Sequence, residues 1–206
     1  ENVDSTIENT IFAGNFASDR AGGIHNENNC PADITNAVFT GNVGVNGGGV
    51  HYRGGGNNTF TNCTFTGNWS NNNGGAIQFR DATTNVAVTN SILWNDTPAE
   101  LFDDNGGVMT MTYSDFDGGY TGAGNVDVDP DFVGDFLDSG TWLTVNYMAA
   151  DYKTELHDSS ASWVPGELAG LFVLPQTGEY IRLWIVHNTG DTIYLWGDMT
   201  SFVAGG

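Results

Sequence analysis

Ile34-Thr-Asn-Ala-Val-Phe-Thr-Gly-Asn42 and Phe60-Thr-Asn-Cys-Thr-Phe-Thr-Gly-Asn68 are nearly the same sentence written 26 residues apart, and each runs on into glycines and an apolar residue, Gly49-Val50 and Gly75-Ala76-Ile77. Outward from this pair, Ile7-Glu-Asn-Thr-Ile-Phe-Ala-Gly-Asn15 with Gly22-Gly23-Ile24 lies upstream. Val88-Thr-Asn-Ser-Ile-Leu-Trp-Asn95 with Gly106-Gly107-Val108 lies downstream. Asn9, Asn36, Asn62 and Asn90 are separated by 27, 26 and 28 residues, and Phe12, Phe39, Phe65 and Leu93 by the same three intervals. Two columns that drift together mark an internal repeat of four copies. Val108 to Phe116 adds a shorter fifth, with Met109 and Met111 on one face and Thr110 and Thr112 on the other.

A repeat of this length, built of short alternating β-type runs and glycine turns without helical periodicity, is one coil of a parallel β-helix. Coils stack about 4.8 Å apart, so each residue sits on its equivalent in the next coil. The reading therefore predicts interior columns Ile7/Ile34/Phe60/Val88, Ile24/Val50/Ile77 and Phe12/Phe39/Phe65. It predicts an asparagine ladder, Asn9/Asn36/Asn62/Asn90, whose amides satisfy backbone groups where the chain turns. The paired glycines are expected to supply positive-φ bends between faces. The polar loops Asn26 to Asp33, Gly54 to Asn58 and Asn71 to Gly75 project from the coil and are the places for binding variation.

From Ser139 the repeat stops and tryptophan appears at 142, 163, 184 and 196. Alternating runs at Thr141 to Met148, Leu168 to Leu174, Tyr180 to His187 and Thr192 to Trp196 predict a small antiparallel β module, sandwich-like or barrel-like, with a hairpin turn at Asn188 to Asp191. The expected organisation is all-β: a parallel β-helix of four to five rungs over 1–138 and the module over 139–206.

With 25 acidic against 5 basic residues the net charge is −20, which repels nucleic-acid backbones and anionic lipid alike. Neither nucleic-acid binding nor membrane insertion is expected, since no apolar run is long enough to span. The chain starts at Glu1 rather than Met, which suggests a mature or excerpted secreted product, extracellular or at a cell surface. Cys30 and Cys63 fall in different columns, so a disulfide is open but not implied.

Phe12/Asn15, Phe39/Asn42, Phe65/Asn68 and Gly74-Gly-Ala-Ile77 resemble the paired Phe-x-x-Asn and Gly-Gly-Ala-Ile signatures of chlamydial polymorphic membrane proteins, which are surface autotransporter adhesins. More broadly, residues 1 to 133 are similar to secreted bacterial proteins with right-handed parallel β-helix repeats. That resemblance implies a right-handed coil and an adhesive role. The other glycine motifs, Gly-Gly-Ile and Gly-Gly-Val, depart from the signature, and no autotransporter barrel is expected within these residues.

Several constellations carry candidate chemistry. Glu27, Arg53 and Arg80 stack on one face with Asp103 and Asp104 a rung away, either a charge ladder or, in a polysaccharide lyase or hydrolase, an acid beside arginines. His25 and His51 share a column that continues at Gln78, read as a surface column for want of a third metal ligand. Asp127, Asp129 and Asp131, with Asp135 and Asp138 beyond, have spacing suited to Ca²⁺ or to a solvated acidic edge. Tyr180, Trp184 and Trp196, with Arg182 and Tyr194, form a strip that is either the core of the module or a platform for sugar rings. The first rung has no covering helix before it, so head-to-tail contact with another copy, and hence a filament, is expected. The expected function is a non-catalytic structural or adhesive protein, with a polysaccharide-active enzyme and a carbohydrate-binding surface protein as alternatives.

Overall fold

The computed structural model describes residues 4–132, 140–175 and 182–203, and the chain forms two compact units, Glu1–Pro130 and Asp131–Gly206. The first unit winds as a coil. Its first turn holds β1 (Ser5–Glu8), β2 (Ile11–Ala13) and β3 (Ile24–Glu27); the second, β4 (Ala32–Thr35), β5 (Val38–Thr40), β6 (Val43–Gly44) and β7 (Val50–Arg53). The third holds β8 (Gly56–Thr61), β9 (Thr64–Thr66), β10 (Trp69–Ser70) and β11 (Ile77–Phe79), and the fourth β12 (Thr84–Thr89), β13 (Ile92–Trp94) and β14 (Leu101–Asp103). β15 (Val108–Thr112) and β16 (Asp115–Phe116) begin a fifth. Equivalent strands pair in parallel, giving sheets β1-β4-β8-β12-β15, β2-β5-β9-β13-β16, β3-β7-β11-β14 and the short pair β6-β10.

Register follows the repeat: Ile7 pairs with Ile34, Ile34 with Phe60, Phe60 with Val88 and Val88 with Met111. The rings of Phe12, Phe39 and Phe65 stack face to face with centroids 4.7 and 4.5 Å apart, and Phe60 meets Phe65 edge-on at 5.2 Å. Each fully buried Phe contributes about 1.5–3 kcal/mol through burial alone. Cys63 is free and buried in a column of small residues, its N–H donating to Ser91 Oγ, and Cys30 is free as well.

Two asparagine columns divide the work at the corners. Asn9, Asn36, Asn62 and Asn90 have φ between 51° and 55°, a left-handed conformation that asparagine tolerates better than most residues. Their side chains are exposed, and Asn62 to Asn36 and Asn36 to Asn9 are joined amide to amide at 3.2 Å. The backbone-satisfying role expected of this ladder belongs instead to Asn42 and Asn68. Asn68 accepts from the Asn42 N–H and Nδ2 and donates to Phe39 O, while Asn42 does the same for Asn15 and Phe12 O. In the fourth turn Trp94 pairs with Thr66, so Asn95, at φ 63°, takes the place of Gly67 and Asp96 takes the place of Asn68.

Two further expectations are corrected. Only Gly74 and Gly106 of the paired glycines are positive-φ bends, at 65° and 81°, and Gly47 takes that role before Gly48-Gly49; Gly22, Gly23, Gly48, Gly49 and Gly75 are instead sites of close approach, where a Cβ on Gly48 would lie 2.6 Å from Gly75 O. Nor is Gly106-Gly107-Val108 the fourth glycine motif. Leu101 pairs with Ile77 and Val108 with Asn85, so the counterpart of Gly22-Gly23-Ile24 is Ala99-Glu100-Leu101.

The second unit is one antiparallel sheet in the order β17-β18-β21-β20-β19, from β17 (Thr144–Met148), β18 (Lys153–His157), β19 (Phe172–Val173), β20 (Leu183–Asn188) and β21 (Thr192–Trp196). β20 and β21 form the expected hairpin, closed by Thr189 N–H donating to Thr192 O at 2.8 Å. β18 had no counterpart in the sequence reading. Its Lys153, Glu155 and His157 look outward while Thr154 and Leu156 are buried.

Candidate functional site

β3, β7, β11 and β14 end in register, so the residues at or just after their ends form a column: Glu27, Arg53, Arg80 and Asp104. Arg53 Nη1 donates to Glu27 Oε1 at 3.3 Å, and Arg80 Nε donates to Asp104 Oδ2 at 2.6 Å. Asp103 stands apart, its Oδ1 accepting the N–H groups of Asn105, Gly106 and Gly107 and so closing a turn. A hydrogen bond from His25, reinforced by Arg53, holds Glu27 below the usual carboxylate range. Glu27 and Asp104 thus sit in ion pairs with the two arginines on a solvent-screened face.

The neighbouring column is His25, His51 and Gln78, and it is not a surface column: His51 and Gln78 are buried, at 0% and 2% exposure. His25 Nε2 lies 3.0 Å from Glu27 Oε1, and its Nδ1 lies 3.1 Å from His51 Nδ1, with the two rings stacked. One proton lies between the two Nδ1 atoms, and His51 Nε2 is buried without a hydrogen-bond partner. Burial first, then the positive charges of His25, Arg20 and Arg80, push the His51 pKa down to about 3. A neutral His51 imidazole, buried against an exposed His25, is the outcome.

Beside both columns opens a groove of about 410 Å³ lined by Asn46, Asn71, Asn72, Asn73, Gln78, Arg80 and Asp104. Asn72 Nδ2 donates to Asn46 Oδ1 at 3.1 Å, and Ser70 Oγ donates to Val45 O, so the loop after β10 is braced against the loop after β6. Gln78 Oε1 is buried and has no hydrogen-bond partner, although Gln78 lines the groove. An unpaired buried acceptor costs about 1–3 kcal/mol. The wall otherwise presents amide donors and acceptors, one guanidinium and the carboxylate that neutralises it. Sequence reasoning reached Arg80 and Asp104, marked Asn71 to Gly75 as a loop for binding and placed Gln78 in the His25/His51 column without a binding role; it did not reach Asn46, whose signal was its 26-residue spacing to Asn72.

The remaining candidates do not gather. Asp127, Asp129 and Asp131 are exposed, with Asp127 Oδ1 accepting from Gly118 N–H, and the adjacent Val126 and Val128 are exposed too. Among the described residues no group of three or more His, Cys, Asp or Glu side chains converges as a metal-holding set. Asp135, Asp138 and Tyr180 lie outside the described residues. Trp184, Tyr194 and Trp196 are half-buried on the sheet face opposite Leu183, Ile185, Ile193 and Leu195, which supply the core. The aromatic strip is therefore not the core. Phe172 packs edge-on to Trp184, and Lys153 Nζ lies 5.1 Å from the Trp196 ring centre.

A family model described as a right handed beta helix region matches residues 1–130. The chain belongs to the right-handed β-helix family. The match covers the wound unit that carries the ladder, the histidine column and the groove. Comparison with curated proteins and with solved structures gives no match. In this β-helix the identifying features are the stacked Phe and Asn columns, and the family by itself assigns no ligand to the groove.

Proposed function

We propose that this β-helix is a non-catalytic extracellular adhesive protein that holds a neutral polysaccharide in the groove lined by Asn46, Asn72, Asn73, Gln78 and Arg80. The observation that carries the reading is a groove lined mainly by side-chain amides, those of Asn46, Asn71, Asn72, Asn73 and Gln78, with one guanidinium and its carboxylate. Sugar hydroxyls both donate and accept, as such amides do. A net charge of −20 disfavours anionic chains. Glu27 and Asp104 are bound to arginines, which suits positioning more than acid–base work. Affinity electrophoresis through gels containing neutral and anionic polysaccharides tests it. The expected result is retardation by a neutral polysaccharide, lost in Gln78→Ala and Arg80→Ala, with no release of reducing ends. Retardation by anionic chains alone, or reducing ends released by the native protein and not by Arg80→Ala, overturns it in favour of the enzyme reading.

A second reading, end-to-end assembly of copies, draws support from β1, β2 and β3, each paired on one side only among the described residues and so offering a parallel edge to another strand. Filaments in micrographs of the purified protein at neutral pH support it; particles of monomer mass at all concentrations reject it.

A further inference from the structure

The fourth turn breaks the asparagine column with an acid. Asp96 Oδ1 accepts from Asn68 N–H at 2.6 Å and Asn68 Nδ2 at 2.7 Å, as Asn68 Oδ1 does for Asn42 one turn earlier. The other oxygen differs. In Asn42 and Asn68 the corresponding atom is Nδ2, which donates to Phe12 O and Phe39 O; in Asp96 it is Oδ2, which has nothing to donate unless protonated. Glu100 lies beside it, Oε1 accepting from Asp96 N–H at 2.9 Å. Both side chains are buried, and Asp96 Oδ2 and Glu100 Oε2 both lack a hydrogen-bond partner. The charged group that faces the pair from a neighbouring turn is Asp117, of the same sign, and it opposes ionisation of both. Two buried carboxylates with a free oxygen each need a donor between them.

We propose that Asp96 and Glu100 share one proton in the folded protein, and that its loss releases the segment from Asp96 to Glu100 from the third turn. That segment is what the third turn leans on: Ser70 N–H donates to Thr97 O, Gly75 N–H to Ala99 O, and the N–H groups of Ala76 and Ile77 to Glu100 O. It also leads directly into β14 and so to Asp104. The device is a proton latch, and it stands independently of any ligand in the groove.

The sign follows from proton linkage. Burial pushes Asp96 up to about 7 and raises Glu100 as well, so the folded chain holds a proton that the unfolded chain has released. The stabilisation is complete below the ordinary carboxylate range and is lost as pH rises toward the folded-state value. His51 acts in the opposite direction between about pH 6.5 and 3, so the native profile alone mixes the two effects. A ratio separates them. Asp96→Asn restores the residue that the repeat carries in the other turns, and its Nδ2 supplies the missing donor without a proton. Urea unfolding of the native protein and of Asp96→Asn from pH 5 to 7 should show the ratio of their unfolding constants rising up to tenfold per pH unit, the variant being the more stable at pH 8. Amides of Gly75, Ala76 and Ile77, corrected for intrinsic exchange, should lose protection at pH 8 in the native protein and keep it in Asp96→Asn. Should Asp96→Asn fold poorly, Glu100→Gln provides the same comparison. Parallel profiles for native and variant overturn the proposal. So does a saturable stabilisation of the native protein by Ca²⁺ at pH 8 that Asp96→Asn abolishes, since the pair would then hold a cation.

Discussion

Replacing Asn68 by Ala should cost far more stability than replacing Asn36 by Ala, although the two asparagines occupy similar corners of successive turns. Asn68 is 1% exposed and makes four side-chain bonds: it accepts from Asn42 N–H and Asn42 Nδ2, and donates to Phe39 O and Asp96 Oδ1. Truncation strands the buried Asn42 N–H, at about 1–3 kcal/mol, and removes one bond from the Phe39 C=O. With the lost side-chain pairs the expected total is about 3–6 kcal/mol, a large part of the stability of a domain this size. Asn36 makes exposed amide contacts at 3.2 Å to Asn9 and Asn62, and its φ is 55°. Alanine there costs about 1–2 kcal/mol, mostly for the left-handed conformation. Asn36→Gly should recover most of that loss, whereas Asn68→Gly should recover none. Urea denaturation followed by far-UV circular dichroism measures all four. Equal costs at Asn36 and Asn68, or a loss below about 1 kcal/mol for Asn68→Ala, would refute the division between a conformational column and a hydrogen-bonding column.

Phe39→Ala should destabilise by about 3–5 kcal/mol, because it opens a void between the stacked Phe12 and Phe65 rings, and denaturation midpoints check it. In an Asp96→Asn background, where the opposing carboxylate contribution is removed, stability should fall as pH drops from about 6.5 toward 3, since the unfolded chain protonates a histidine that the folded chain keeps neutral. His51→Gln, matching Gln78 in the next turn, should flatten that slope in thermal melts taken across the range. Arg53→Ala should change stability by less than about 1 kcal/mol, because its partner Glu27 is exposed and keeps the His25 bond; a larger loss in the same melts would show the ladder to be structural.

The wound unit was legible because its information is periodic. Phe12, Phe39 and Phe65 fall at equal intervals with Asn9, Asn36 and Asn62, and stacking obliges equivalent residues to meet, so spacing alone fixes register over three turns. The fourth turn resisted, since taking Asn95 for the column asparagine makes Leu93-Trp94-Asn95 one residue shorter than Phe-Thr-Gly-Asn. The geometry shows that Asn95 replaces a positive-φ glycine and that Asp96 is the column member. Burial was the other blind spot. His51 and Gln78 are polar types usually read as surface, yet the stacking of neighbouring turns covers them. The ladder Glu27/Arg53/Arg80/Asp104 was visible from spacing, but the groove was not, because Asn46, Asn72 and Gln78 converge only when two loops and one strand are placed side by side. In the second unit β18 escaped notice because Lys153, Glu155 and His157 mask the alternation of Thr154 and Leu156.

The most direct test of the groove is a titration of the ¹⁵N-labelled protein with a neutral oligosaccharide, following side-chain amide resonances. The account predicts that the amides of Asn72, Asn73 and Gln78 shift together and saturate, while those of the exposed ladder at Asn9, Asn36 and Asn62 stay in place. Shifts confined to Trp184 and Trp196 of the second unit, or no saturable shift at Gln78, would contradict it.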